Sequence, residues 1–243
     1  MLTPADYEKL NTFYEENEAF RELFQAIEKD HMMSLSKISH EIRNPVTLIN
    51  SFLQLMASDH PEVRDFKYWQ DIMENMAFLR ELLTDLSSYN NAGALKRTEA
   101  NPYQVLKSVI TSSTPALEEK GILIFLEKET PIPTFMLDTT KLREVFFNLI
   151  RNAMEAMPDG GDIHCRISSD MDNVTIEIRD TGYGISKDDI NGIFEAFVTH
   201  KADGTGLGLA IASQVICAHQ GKISVISEEG KGTAFTIILP ILY

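Results

Sequence analysis

The chain has 243 residues, room for one large domain or for a helical bundle followed by a mid-sized domain. Hydrophobic residues make up 44% and charged residues 24%, the balance of an ordinary globular protein. A formal net charge of -14 argues against nucleic acid or an anionic membrane as the main partner.

The same field repels any polyanionic ligand, so a cation, local basic side chains or helix-end amides would have to offset it. Cys165 and Cys217 show no metal-type spacing and read as reduced, buried thiols of a cytoplasmic protein. No apolar stretch approaches the ~20 residues of a membrane span, and no signal peptide opens the chain. A cytoplasmic protein with no membrane span in this chain is the expectation.

From about Ala5 to Ala94 the sequence reads as helix, interrupted by the turn cluster Ser58-Asp59-His60-Pro61-Glu62. Leu35, Ile38, Ile42, Ile49, Phe52 and Met56 fall on a three-four repeat whose remaining slot is Pro45. Trp69, Ile72, Met76, Leu79, Leu83 and Leu86 form a second heptad series, ending on polar Asn90. Two such helices make an antiparallel hairpin. One hairpin has too little partner surface for its seam, so two should pair into a dimeric four-helix bundle. His40 lies off that seam and should face solvent, with Glu41 beside it and Asn44 one turn on. Pro45 removes the donor to the Glu41 carbonyl and should bend the helix. Asn90-Asn91-Ala92-Gly93-Ala94 reads as a hinge.

Beyond the hinge the predicted elements are a helix from Pro102 to about Lys120 and strands at Ile122-Leu126 and Phe135-Leu137. A helix over Thr139-Met157 follows, stopped by Pro158-Asp159-Gly160-Gly161. Strands at Ile163-Ser168 and Val174-Arg179 enclose the turn Met171-Asp172-Asn173. A helix from about Thr205 to His219 leads to strands Lys222-Ser227 and Thr233-Leu239. This order predicts a two-layer α/β sandwich with helices on one face. Residues 185–204 lack periodicity and carry Phe194, Phe197, His200 and Lys201, the pattern of a lid. The expected domains are 1–30, a signalling or dimer-extension helix; 31–94, the hairpin; and 95–243, the sandwich.

Three clusters carry site chemistry. Asp180-Thr181-Gly182-Tyr183-Gly184 puts a carboxylate at a strand end, where it can accept from an adenine amino group. Gly182 and Gly184 would let backbone approach the base. Gly204-Thr205-Gly206-Leu207-Gly208 opens a helix and offers free amides to phosphate, without the lysine-serine/threonine pair of a Walker loop. Glu144, Asn148 and Asn152 form one polar line at i,i+4 steps on the Thr139-Met157 helix. An asparagine carbonyl suits Mg²⁺, which shares its shell with water and phosphate.

With these residues in view, the chain resembles a sensor histidine kinase. Such proteins join a dimerisation and phosphoacceptor domain to a catalytic domain of the ATPase superfamily shared with gyrase, Hsp90 and MutL. Ser39-His40-Glu41-Ile42-Arg43-Asn44-Pro45 resembles the H box and Asn148-Leu149-Ile150-Arg151-Asn152-Ala153 the N box. Asp180 to Gly184 resembles the G1 box, Phe194-Glu195-Ala196-Phe197 the F box, Gly204 to Gly208 the G2 box, and Gly230-Lys231-Gly232-Thr233 the terminal glycine motif. The wording Asn152-Ala153-Met154-Glu155-Ala156 and the short lid lean toward nitrogen-regulation and sporulation kinases. Ala196 departs from the usual proline, which should loosen the lid.

The resemblance implies ATP and Mg²⁺ as cofactors and autophosphorylation on His40, then transfer to an aspartate of a response regulator receiver domain. It implies Glu41 as general base and Asn44 as the residue orienting water for dephosphorylation of that partner. It assigns the Mg²⁺ ligand to Asn152 with Asn148 in support, and adenine to Asp180. Phosphate falls to Lys201 and to the loop that holds Gly206 and Gly208. A homodimer is implied, with the signal coming from an upstream sensory protein or a sensory domain of a longer chain. The alternative is an ATPase or serine/threonine kinase of the same superfamily acting on a partner, which would lack the hairpin with its exposed His-Glu pair.

Overall fold

The computed structural model describes residues 17–199, 201 and 204–242. The expected helix start at Ala5 and the lid residue His200 lie outside the described residues. The chain divides into two compact units, Met1–Asn90 and Asn91–Tyr243.

The first unit is a helical hairpin. Helix α1 spans Glu18–Asp59, and its Asn17 cap accepts a hydrogen bond from the Phe20 amide at 3.1 Å. It runs through residue 30 without a break and keeps Pro45 inside it. A 3-10 turn, Pro61–Asp65, reverses the chain, with Val63 buried at its centre. Helix α2, Trp69–Asn90, returns antiparallel.

The hairpin closes on a different line from the one the periodicity suggests. Val46, Met76 and Leu83 form the buried cluster, with Leu53 against it, while Ile38, Ile42, Ile49, Phe52, Met56, Ile72 and Leu79 stay exposed. Residues three and four apart on a helix flank its contact line rather than share it. The α2 series therefore splits, Met76 and Leu83 turning inward and Ile72 and Leu79 outward.

The second unit is the predicted two-layer sandwich. Its elements are β1 (Thr98–Ala100), α3 (Pro102–Glu119), β2 (Ile122–Lys128), β3 (Phe135–Leu137), α4 (Thr139–Glu155), β4 (Gly161–Ser169), β5 (Asn173–Asp180), α5 (Gly208–Ala218), β6 (Lys222–Glu228) and β7 (Gly232–Pro240). A five-stranded sheet runs β2-β4-β5-β7-β6, and a small second sheet pairs β1 with β3. Only β2 and β4 run parallel in the larger sheet, and the connection between them carries α4. Ile163, Cys165 and Ile167 on β4, Val174, Ile176 and Ile178 on β5, and Phe235, Ile237 and Leu239 on β7 alternate inward. They meet Leu142, Val145, Phe146 and Leu149 of α4 and Ile211 and Val215 of α5 in the core.

Three expectations need correction. Cys165 is buried, but Cys217 on the last turn of α5 is exposed. α5 starts at Gly208, not Thr205, because Gly206 holds a φ of 66° that no α-helix admits. Strand β1 escapes the sequence pattern, since its polar residues gain their place by pairing with β3 rather than by burial.

Candidate nucleotide and phosphoacceptor sites

Strand β5 ends on Asp180, which is 4% exposed. Its Oδ1 accepts from the Gly182 amide at 2.9 Å and the Thr233 amide at 3.2 Å, which leaves Oδ2 for a ligand. Burial raises its pKa above the usual carboxylate value, against the lowering effect of those two amides and of Arg179. A charge held that poorly solvated gains from an incoming N–H donor.

The glycines of this loop serve the protein's own backbone. A Cβ on Gly182 would lie 2.6 Å from the Ala156 carbonyl, and one on Gly184, at φ 73°, would strike the Glu228 carbonyl. The Gly230 amide donates to the Tyr183 carbonyl at 2.7 Å, so the β6–β7 turn is locked to the Asp180 loop. Ser227 completes the lock, its Oγ accepting from the Ile185 amide at 2.8 Å and standing 2.9 Å from Thr233 Oγ1.

Helix α4 is the element to which the other clusters attach. Its N-cap is Asp138, whose side chain accepts from the Lys141 amide. Buried Asn148 donates through Nδ2 to the Gly208 carbonyl at 3.1 Å, which joins α4 to the glycine-rich loop and leaves Oδ1 as a possible metal ligand. Asn152, one turn on, is half-buried and forms no side-chain hydrogen bond among the described residues. Glu144, the remaining member of the polar line, is paired to Lys141 Nζ at 3.4 Å and stands apart from this pairing. At the C-terminal end, Ala156 accepts the Tyr183 amide at 3.1 Å. Glu155 is ion-paired through Oε2 with Lys201 of the lid segment and through Oε1 with Arg151 Nε at 3.7 Å.

In the glycine-rich loop, the Phe197 amide donates to the Gly206 carbonyl at 3.0 Å, and a Cβ on Gly206 would lie 2.7 Å from the Phe197 carbonyl carbon. Phe194 sits edge-on to Phe235, which roots the lid segment on β7. A Cβ on Gly204 would approach the Thr199 hydroxyl to 2.6 Å. The Thr205 hydroxyl accepts weakly from the Leu207 amide at 3.4 Å. Leu207 caps α5 without a side-chain hydrogen bond, so the amides at this helix start are not taken by a capping side chain. The Leu207 side chain itself is buried, so its place among the ligand-binding residues is a matter of backbone alone.

On the hairpin, His40, Glu41 and Asn44 are all exposed, and the preceding Ser39 is buried. Arg43 is turned the other way and donates through Nη2 to the Leu83 carbonyl at 2.8 Å, tying α1 to α2 beside the histidine. Sequence reading missed Arg43, Glu155, Ser227 and Thr233 as site-building residues. Arg43, Glu155 and Thr233 stood inside motifs already recognised, without a role; Ser227 lay outside them all.

Mg²⁺ fits the residues present. No cluster of carboxylates, histidines or cysteines able to hold a metal occurs among the described residues, whereas two amide oxygens on α4 remain for a hard cation that takes its other ligands from phosphate and water. No helix among the described residues is long and apolar enough to cross a membrane.

Residues 137–242 match the family described as histidine kinase-, DNA gyrase B- and HSP90-like ATPase. The chain is 35% identical to sporulation kinase E of Bacillus subtilis over 205 residues, covering 84% of this chain and 28% of that protein. It is 38% identical to sporulation kinase A of the same organism over 207 residues, covering 84% and 33%. The sensor histidine kinase ZraS of Salmonella typhimurium is 30% identical over 229 residues, covering 91% and 49%. The chain thus spans less than half the length of these curated relatives. Among solved structures, full-length ShkA in complex with AMPPNP aligns with a TM-score of 0.69 at 29% identity, covering 86% of this chain and 46% of that one. The catalytic domain of histidine kinase ThkA aligns at 0.57 and 28%, covering 61% of this chain and 97% of that domain.

Proposed function

We propose that this chain, which belongs to the sensor histidine kinases through its ATPase domain at residues 137–242, uses Mg²⁺-ATP to phosphorylate itself on His40. The phosphoryl group then passes to an aspartate of a response regulator receiver domain. One observation supports this most: α4, with its C-cap Ala156, carries the polar line and ties to itself the Asp180 loop, the glycine-rich loop and the lid segment. The C-cap Ala156 holds the Asp180 loop, Asn148 holds Gly208, and Glu155 holds Lys201.

In this reading Asp180 Oδ2 accepts the adenine amino group, and the amides at the start of α5 receive the phosphates. Asn152 and Asn148 would hold Mg²⁺ through their amide oxygens, and the ion when bound would supply charge neutralisation for the phosphates. A His40 ring nitrogen attacks the γ-phosphorus, the bond from phosphorus to the ADP oxygen breaks, and Glu41 takes the imidazole proton. Exposed Ile38, Ile42, Ile49, Phe52 and Met56 support a homodimer in which two hairpins form a four-helix bundle.

The test is incubation with labelled ATP and Mg²⁺, then with a panel of purified receiver domains. Wild type should acquire label that is acid-labile and alkali-stable, as a phosphoramidate is, and His40→Gln should acquire none. Label that survives His40→Gln or resists acid overturns the assignment and favours a serine/threonine kinase of the same superfamily. Asn44, with an amide that both donates and accepts, is the proposed water-orienting residue for the reverse reaction. Asn44→Ala should keep autophosphorylation but lose dephosphorylation of the regulator; equal decay of a phospho-receiver with both proteins removes that role.

A further inference from the structure

The ion pairs at the end of α4 do more than stabilise a helix. Lys201 is the cation that the resemblance directs to phosphate, yet in this structure its ammonium is held by Glu155. The same carboxylate takes Arg151 Nε at 3.7 Å, and Arg151 Nη2 lies 3.6 Å from where a Cβ on Gly208 would stand. Arg151 therefore reaches from the Glu155 carboxylate to the start of α5, where the capping position makes no side-chain hydrogen bond. An anion entering there meets two cations with a carboxylate already between them.

We infer that Glu155 competes with the terminal phosphate of the nucleotide for Lys201, and so sets both the affinity of the site and its preference among tri-, di- and unphosphorylated nucleosides. The inference rests on the nucleotide reading above. Phosphate and carboxylate against one ammonium repel each other, so holding one weakens the hold on the other. The side chains of Lys201 and Glu155 are 39% and 35% exposed, so solvent screening keeps the competition modest. The expected effect of removing the carboxylate is roughly a two- to five-fold change in an affinity. Only ligands long enough to reach Lys201 should register it.

Titration calorimetry of the whole chain with AMPPNP, ADP and adenosine, in the presence of Mg²⁺, tests this. Glu155→Gln should bind AMPPNP roughly two- to five-fold more tightly than wild type, bind ADP with a smaller gain, and leave adenosine unchanged. Glu155→Asp, which keeps the charge, should stay nearer wild type. In a Lys201→Met background most of the Glu155→Gln gain should vanish, because the two residues act as a coupled pair. A purely structural role for the Glu155–Arg151 pair would shift melting temperature and all three ligands alike. Unchanged or weaker AMPPNP binding in Glu155→Gln overturns the inference, as does an equal gain with Lys201→Met, which would mean simple repulsion. Wild type that binds neither AMPPNP nor ADP defeats the nucleotide reading itself, and the inference with it.

Discussion

The two units solve the burial problem in opposite ways. In the sandwich, large side chains such as Phe146, Leu142 and Ile167 reach 0% exposure within a single chain. In the hairpin, Phe52 keeps 64% of its surface and Ile49 50%, on the same helix that seats Val46. Both units are built from amphipathic elements, but the sandwich has a second layer and the hairpin has none. A sheet face covered by helices needs nothing further. A two-helix unit can use only one line of each helix, so the other line waits for a partner. The difference separates a unit that buries its apolar side chains within one chain from one that leaves a line of them exposed, the line that the proposed association would cover.

The largest expected effect pits one phenylalanine against another. Phe146→Ala should cost about 3–5 kcal/mol of stability in the sandwich, independent of protein concentration, because the cavity stays inside one chain. Phe52→Ala should leave the unfolding of a single hairpin almost unchanged but weaken self-association. Denaturant melts at several concentrations, with light scattering, separate the two. Concentration-independent stability of the hairpin, with monomers at every concentration, would break the contrast and the proposed bundle with it.

A second comparison lies inside the proposed nucleotide site, between its proposed base end and its proposed metal end. Asp180→Asn removes a buried charge that accepts two backbone amides, so adenine binding should fall by roughly ten- to a hundred-fold. Asn152→Ala removes a side chain that bonds no other described residue, so Mg²⁺-free ADP should bind nearly as before. Phosphoryl transfer should fail in both variants. Equal loss of Mg²⁺-free ADP binding in the two would reverse the assignment of ends.

The sequence made the sandwich legible because its signals are local. Alternation at Ile163, Cys165 and Ile167 marks a strand, and Pro158-Asp159-Gly160-Gly161 marks a helix stop. The glycine-rich clusters were equally visible, but not the reason for each glycine. Gly182 and Gly184 give room to Ala156 and Glu228, contacts that exist only after the chain has folded back on itself. Thr233 reaches Asp180 across a separation of 53 residues and Lys201 reaches Glu155 across 46, and no short pattern encodes either. On the hairpin, heptad spacing identified apolar residues correctly yet could not divide them between an intrachain seam and an outward face. That division depends on where the turn at Pro61–Asp65 sets the register.

The smallest expected effect concerns pH, and it lies in the sandwich. In the sandwich, buried His219 accepts the Asp138 amide at Nε2 over 2.9 Å, and its Nδ1 lies 2.8 Å from the Val215 carbonyl. Both bonds fit a neutral ring protonated at Nδ1. Burial lowers the pKa of His219 below 6.5, with Arg97 adding to the shift and the Val215 carbonyl and Asp138 opposing it. The unfolded chain therefore takes up a proton below about pH 6.5 that the folded sandwich resists. Stability from this residue is present above that pH and declines as pH falls toward the folded-state pKa, by at most about 1.4 kcal/mol per pH unit. Asp138 acts in a lower window. Burial raises its pKa, but the amides of Lys141, Lys96 and Thr140 together with His219 outweigh it, so the net shift is downward from 3.8 and its contribution is lost only in stronger acid. Between pH 7.5 and 5.5 the melting temperature of the sandwich should therefore drop in wild type. It should drop less in His219→Gln, which begins lower but has no proton to gain. Parallel slopes for wild type and His219→Gln would show that another group drives the acid loss.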